Sequence, residues 1–216
     1  MSEQTHAVNE AWIRYLSERT IQEDDFLVEL KRAAEAAGIP RIQISPEQAA
    51  FMEILLRGTG AREVVEVGTL AGYSSIRMAR ALGAGGRVRT IELDPGRAAF
   101  ARAQVERAGL EAEVQVFEGK GLDVLRTFDS GSADFAFIDA DKEGYADYLD
   151  ECVRIVRIGG MILVDNAFGF GRLLDPNGGD EVAAIRAFND AMAARDDVLG
   201  IIVPFGDGCW VAVRVG

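Results

Sequence analysis

Apolar positions recur along this chain in two rhythms, and the change between them falls near residue 60. Before that point the spacing is helical. Val8, Trp12 and Tyr15/Leu16 form one stripe, and Phe26, Leu30, Ala33 and Ala37 form a second that ends at Gly38-Ile39-Pro40. Ser45-Pro46-Glu47-Gln48 announces a third helix, with Ser45 as N-cap, Pro46 at the first helical position and Gln48 placed to close a capping box. Phe51, Met52, Leu55 and Leu56 make its apolar face, and Gly58 and Gly60 mark its end. From Glu63 onward short β-branched runs alternate with helical spacings, which predicts an α/β sheet, mostly parallel, with helices on both faces and right-handed crossovers. The strands are expected at Glu63–Val67, Arg87–Glu92, 113–117, Ala133–Ile138 and 161–164, the last after a turn at Gly159-Gly160. Tyr73–Leu82, the stripe Tyr145, Tyr148, Leu149 and Cys152, and the stripe Val182, Ile185, Phe188 and Met192 supply helices. Runs at Val198–Val203 and 209–215, joined by Pro204-Phe205-Gly206-Asp207-Gly208, read as a C-terminal hairpin that must add an antiparallel strand.

The first strand feeds its helix through Glu66-Val67-Gly68-Thr69-Leu70-Ala71-Gly72-Tyr73-Ser74-Ser75. A glycine turn entering a helix presents free backbone N–H groups to a ligand. Gly68 and Gly72 are spaced Gly-x-x-x-Gly, whereas close approach to a pyrophosphate needs Gly-x-Gly-x-x-Gly, and Thr69-Leu70 crowds that approach. Glu66, at the strand end, is expected to point its carboxylate at the ligand, which suits a cationic or hydroxyl-bearing group. The plain alternative is a tight turn that needs glycine only for positive φ. Glu92 ends the second strand at the distance where an acidic residue takes ribose hydroxyls, while Asp94, just before Pro95, is the N-cap of the next helix. Glu118-Gly119-Lys120-Gly121 lies at the same sheet edge, as one side of an adenine site or as an ordinary turn. Arg41-Ile42-Gln43-Ile44 lies between helices, where it can fold over a bound ligand.

The fourth and fifth strands end in Asp139-Ala140-Asp141-Lys142 and Asp165-Asn166. Neighbouring strands lie about 4.8 Å apart, so if these two pair, Asp139, Asp165 and Asn166 converge on one ion. Two carboxylates and an amide, with no His or Cys nearby, specify a hard cation: Mg²⁺ first, Mn²⁺ or Ca²⁺ next. Helix capping is the competing explanation for such clusters. Residues 167–180 hold too much Gly and Pro for a regular element, and Phe168, Phe170 and Leu173 are available to cover an apolar substrate or to make a surface contact.

Size and charge narrow the function. The 216 residues suit one domain. Thirty-five acidic against 23 basic side chains leave a net charge of −12, which opposes nucleic acid and anionic membrane as partners. Cys152 and Cys209 are expected to be reduced core thiols of a cytoplasmic protein. His6 is the sole histidine, so His-based triads and His-ligated zinc are excluded unless it is recruited. The N-terminus lacks a basic and then apolar leader, and no stretch approaches the ~20 apolar residues of a membrane span.

Taken together, Glu66-Val-Gly-x-x-x-Gly-Tyr-Ser74, Ile-Glu92-Leu-Asp, the Glu-Gly of the next loop, Phe-Ile-Asp139-Ala-Asp141-Lys142 with Tyr145 after it, and Gly-Gly-x-Ile-x-x-Asp165-Asn166 resemble the cation-dependent O-methyltransferases of the catechol and caffeoyl-coenzyme A type. The resemblance runs from the first helix to the final hairpin. It implies a Rossmann-like seven-stranded sheet with extra N-terminal helices, S-adenosylmethionine as methyl donor, a small phenolic acceptor and a homodimer. By the same resemblance Glu66, Gly68, Thr69 and Ser74 hold the methionine part, with Ser74 taking its carboxylate. Glu92 takes the ribose, Gly121 adjoins the adenine, Ile44 touches the cofactor through its backbone, and Asp141 lies near it. Asp139, Asp165 and Asn166 hold the metal, Asp139 also contributing to the cofactor site and to catalysis, and Lys142 takes the proton of the acceptor hydroxyl. Two departures favour a small catechol over a coenzyme A ester: Gly169 and Phe170 stand where plant caffeoyl-coenzyme A enzymes carry a tryptophan and a polar residue, and no basic cluster awaits the coenzyme phosphates. Two other classes compete. A nicotinamide oxidoreductase should carry the tighter glycine fingerprint, and a tRNA-modifying methyltransferase of the same family should show a basic face.

Overall fold

The computed structural model describes residues 10–19 and 23–216, so His6 and Val8 lie outside the described residues. Among the described residues three helices precede the sheet: α1 (Glu10–Ser17), α2 (Asp25–Ala36) and α3 (Pro46–Thr59). The α1 stripe is not core, because Trp12, Tyr15 and Leu16 are each about half exposed, at 48–49%. In α2 the buried face is Leu27, Leu30 and Ala34, one residue round from the Phe26 and Ala33 stripe, and the helix stops before Ala37. Both alternatives have helical spacing; packing against the rest of the core, not periodicity, selects between them. Ser45 caps α3 by accepting from the Gln48 backbone N–H at 3.1 Å. Gln48 does not close the capping box, since its side-chain amide reaches Asp165 instead, at 2.6 Å.

The remaining elements alternate as β1 (Glu63–Val67), α4 (Tyr73–Leu82), β2 (Arg87–Glu92), α5 (Pro95–Arg107), β3 (Glu113–Glu118), α6 (Gly121–Leu125), β4 (Ala133–Ile138), α7 (Tyr145–Ile155), β5 (Val156–Val164), α8 (Asp180–Ala193), β6 (Val198–Val203) and β7 (Cys209–Arg214). They build one seven-stranded sheet in the order β3-β2-β1-β4-β5-β7-β6. Among the described residues β7 alone runs against the direction of the other six strands. Two local expectations need correcting. The 119–121 loop leads at once into the short helix α6, and β5 begins at Val156, so Gly159 and Gly160 lie inside the strand. There the β4–β5 register shifts, and a Cβ on Gly160 would stand 2.7 Å from the Asp134 carbonyl oxygen, so the strands close only because glycine is present.

Alternation along the buried strands sorts side chains to two faces. Val64, Phe135, Phe137 and Leu163 pack with α2, α3 and α4, whereas Val65, Val67, Ala136, Ile138, Ile162 and Val164 pack with α7 and α8. Glu66 therefore shares the α4 side with Val64. The pairs Val67↔Ile138 and Ile138↔Val164 set three strands level, so Gly68, Asp139 and Asp165 emerge side by side at the carboxyl edge. The Asp139 N–H donates back to the Val67 carbonyl at 2.9 Å, and that of Asp165 to the Ile138 carbonyl at 3.0 Å. Gly68, at φ +103°, lies so close to β4 that a Cβ would stand 1.9 Å from the Asp139 carbonyl oxygen. Among the described residues no helix is long and apolar enough to cross a membrane.

Gly68→Ala is expected to lose about 3 kcal/mol of stability or more in urea unfolding, from backbone overlap added to left-handed strain. Gly85→Ala, also at positive φ but with nothing within 4 Å, should lose only about 1 kcal/mol. Equal losses would show that conformation alone, not the approach of β1 to β4, requires glycine at 68.

Candidate active site

A cavity of about 720 Å³ opens at the carboxyl edge of the sheet, within the size range of small-molecule sites. One wall is the β1–α4 turn, with Gly68, Thr69 and Ser74; Ile42, Gln43 and Ile44 line it from the segment before α3. Glu92 and Gly121 line the far side, and Asp139, Asp141, Lys142, Asn166 and Phe170 the near end. The structure thus brings most of the expected site residues onto one surface. Glu66 and Asp165 are the exceptions: both are buried behind the wall and do not line it.

The β1–α4 turn is held from below. Thr69 is buried, its hydroxyl 2.6 Å from that of Thr90 on β2. Leu70 takes the left-handed conformation, at φ +51°, and its N–H donates to Glu92 Oε2 at 2.8 Å. The other Glu92 oxygen accepts from the Asp94 N–H at 3.0 Å. Each carboxylate oxygen has a second lone pair, so Glu92 keeps acceptor capacity for a hydroxyl in the cavity. Glu66 instead faces α4, as strand alternation requires, and accepts from the hydroxyls of Ser74 (2.5 Å) and Ser75. The Ser74 hydroxyl hydrogen is therefore already committed. Backbone N–H groups of the first turn of α4 are also placed to meet an anion at this point. Complete burial pushes the Glu66 carboxyl up from 4.5 to about 7, against the pull of the two serine hydroxyls.

At the other end Lys142 is buried, its ammonium between strand ends. Nζ donates to Asn166 Oδ1 at 2.6 Å, to the Tyr145 hydroxyl at 2.6 Å and to Asp139 Oδ1 at 3.3 Å. Behind this group the Asp165 carboxylate accepts from Gln48. Burial raises the carboxyl groups of both Asp139 and Asp165, and the negative charge of Asp139 raises Asp165 further. Asp139, at the cavity wall, and the buried Asp165 lie near one ammonium, so the set as it stands favours additional positive charge. Two carboxylates and an amide oxygen on adjacent strand ends, with no soft donor among them, fit a hard divalent cation.

Four residues act here without having been singled out in the sequence for a site. Gln48 supports Asp165, although its position suggested a helix cap. Tyr145, whose helical spacing placed it in the core, is indeed buried but turns its hydroxyl to Lys142. Tyr148 donates to Asp141 Oδ1 at 2.6 Å, and its ring lies where a Cβ on Gly121 would stand, 2.7 Å away, which explains glycine at 121 without any ligand. Asp207, in the β6–β7 turn, reaches Asn166. Nearby glycines were the available signal for Tyr148; nothing in the sequence pointed to the partners of Gln48 or Asp207. In the 167–180 segment only Phe170 lines the cavity; Phe168 packs on Gly208 and Leu173 lies beside Gly169.

A family model described as O-methyltransferase matches residues 17–215. A catechol O-methyltransferase of Niastella koreensis is 40% identical over 188 residues, 85% of each chain. One of Mycobacterium tuberculosis is 40% identical over 173 residues, 80% of this chain and 79% of that one. Among solved structures, an O-methyltransferase from Bacillus cereus in complex with SAH aligns with a TM-score of 0.86 at 36% identity, covering 94% of this chain and 97% of that one.

The raised Glu66 carboxyl generates a pH test. Its contribution to stability is complete below its unfolded value of 4.5 and is lost as pH rises through about 7. Between pH 4.5 and 8 the unfolding free energy of the unaltered chain should therefore fall relative to that of Glu66→Gln, by on the order of 3 kcal/mol. Parallel urea-derived stability curves for the two proteins would remove the buried-acid assignment.

Proposed function

This chain belongs to the O-methyltransferase family, and we propose that within it the chain methylates a hydroxyl of a small catechol-type acceptor with the help of a divalent cation. Its general activity, transfer of a methyl group from S-adenosylmethionine to oxygen, follows from the family. The observation that carries the finer reading is the oxygen set around Lys142 Nζ, where Asp139 and Asn166 meet an ammonium beside the buried Asp165 carboxylate. The two relatives named catechol O-methyltransferase support the acceptor class. The net charge of −12 supports a small molecule over a nucleic acid.

Asp139, Asp165 and Asn166 are the residues to hold the cation, Mg²⁺ ahead of Mn²⁺ or Ca²⁺. When bound, such an ion lowers the cost of forming an oxyanion on a phenol whose pKa is otherwise near 10. The acceptor oxygen then forms a bond to the methyl carbon as the carbon–sulfur bond breaks, the electron pair staying on sulfur. Lys142 is the group placed to receive the acceptor's proton. Its Nζ sits against Asp139, Tyr145 and Asn166, at the end of the cavity that receives the acceptor. Glu92 and the β1–α4 turn hold the donor, and the Phe170 ring forms an apolar wall for the acceptor. Holding donor and acceptor in near-attack geometry is worth about 7–11 kcal/mol, so rigid walls matter as much as the proton transfer.

Transfer of labelled methyl to catechol should fall at least ~100-fold on exhaustive chelation or in Asp165→Ala, and return to the unaltered chain on adding Mg²⁺. Calorimetry should show S-adenosylmethionine still bound by that variant. Full activity after chelation removes the cation from the reading. In Lys142→Met the rate should drop by ~10²–10⁴, with cofactor affinity unchanged; a rate within threefold of the unaltered chain removes Lys142 from the proton transfer.

A further inference from the structure

The β6–β7 turn carries Asp207, which does not line the cavity, yet its carboxylate collects three N–H groups from the segment that does. Oδ2 accepts from the Phe170 backbone N–H at 2.7 Å and from Asn166 Nδ2 at 3.3 Å, and Oδ1 accepts from the Gly171 N–H at 2.9 Å. Two backbone bonds reinforce the junction: the Phe168 N–H donates to the Asp207 carbonyl at 2.8 Å, and the Ala167 N–H to the Gly208 carbonyl at 2.9 Å. We infer that Asp207 is a positioning residue for the acceptor end of the site, acting through Asn166 and Phe170. This rests on the reading that the Phe170 end of the cavity receives the acceptor.

Two physical arguments support it. An asparagine amide has a donor end and an acceptor end, and Lys142, with only donors to offer, needs the oxygen. Asp207 has only acceptors to offer, and by taking the Nδ2 end it fixes Oδ1 toward Lys142. Without it a flipped amide would set donor against donor. The second argument is backbone strain. Gly169, Phe170 and Gly171 have φ of +60°, +59° and +70° in succession. Such a conformation is easy for glycine and costs about 1–2 kcal/mol for a bulky side chain. The successive N–H groups of Phe170 and Gly171 both donate to the Asp207 carboxylate, which holds Phe170 where its ring is 5.9 Å from Lys142 Nζ. Asp207 thus sets both the polar and the aromatic contacts available to an acceptor.

The test uses Asp207→Ala and the milder Asp207→Asn, with two independent readouts. Amide hydrogen exchange of the peptide spanning 168–173 should speed up about tenfold in Asp207→Ala and less in Asp207→Asn. In the labelled-methyl assay with catechol, KM for catechol should rise about tenfold and kcat should fall, while S-adenosylmethionine affinity by calorimetry stays within twofold. Unchanged exchange, unchanged KM, or a joint loss of cofactor affinity and acceptor affinity would each overturn the inference, the last because it marks a purely structural role. Should the unaltered chain methylate no catechol at all, the acceptor reading falls by itself, and the exchange readout alone decides the role of Asp207.

Discussion

One ammonium nitrogen ties the candidate site together. Lys142 Nζ meets a side chain that follows β4, one that follows β5 and one from the first turn of α7. A buried charge survives only if it is paired and hydrogen-bonded, so this contact requires the β4 and β5 ends to be level and α7 to start close beside them. Parallel register supplies the first condition, and the tight approach of Gly68 to Asp139 fixes β1 at the same height. The same neighbourhood that satisfies one ammonium leaves the cavity-lining Asp139 and the buried Asp165 short of positive charge. That imbalance connects the sheet's geometry to the proposed cation.

Behind the cavity wall stand three acids with different tasks. Glu66 fastens the first turn of α4 through Ser74 and Ser75, Asp165 joins the strand end to Gln48 of α3, and Asp207 joins the hairpin to the Phe170 segment. The last two link elements distant in sequence, Gln48 and Asp165 being 117 residues apart and Phe170 and Asp207 37. A site intended to hold two reactants in line needs walls that do not relax, and hydrogen bonds behind the wall provide that stiffness without occupying the space. It follows that an acidic residue beside a glycine turn need not touch the ligand for the site to need it.

Much of the architecture was legible in the chain. Short β-branched runs separated by helical stripes gave five parallel strands and the closing hairpin, because burial on both faces leaves a strand few polar positions. Asp94 and Ser45 were legible as caps because a cap is a local interaction over three residues. The misreadings share a cause. Phe26 and Leu27 are equally apolar and only packing chooses between them; Trp12 and Tyr15 have a helical spacing that says nothing about whether a partner covers them; and Gly159-Gly160 marks an irregular strand as readily as a turn.

By itself the sequence determined the succession of strands and of every helix that follows the first strand except the short α6, and the clustering of oxygen donors at strand ends, since both depend on residues close together in the chain. Tertiary structure alone decided which side of the cavity wall each donor occupies. Alternation turned Glu66 toward α4, Gln48 left its cap for Asp165, and Asp207 found Asn166 across a gap of 41 residues. Those outcomes depend on strand register and on how distant elements pack, and neither is encoded in any local stretch of the chain.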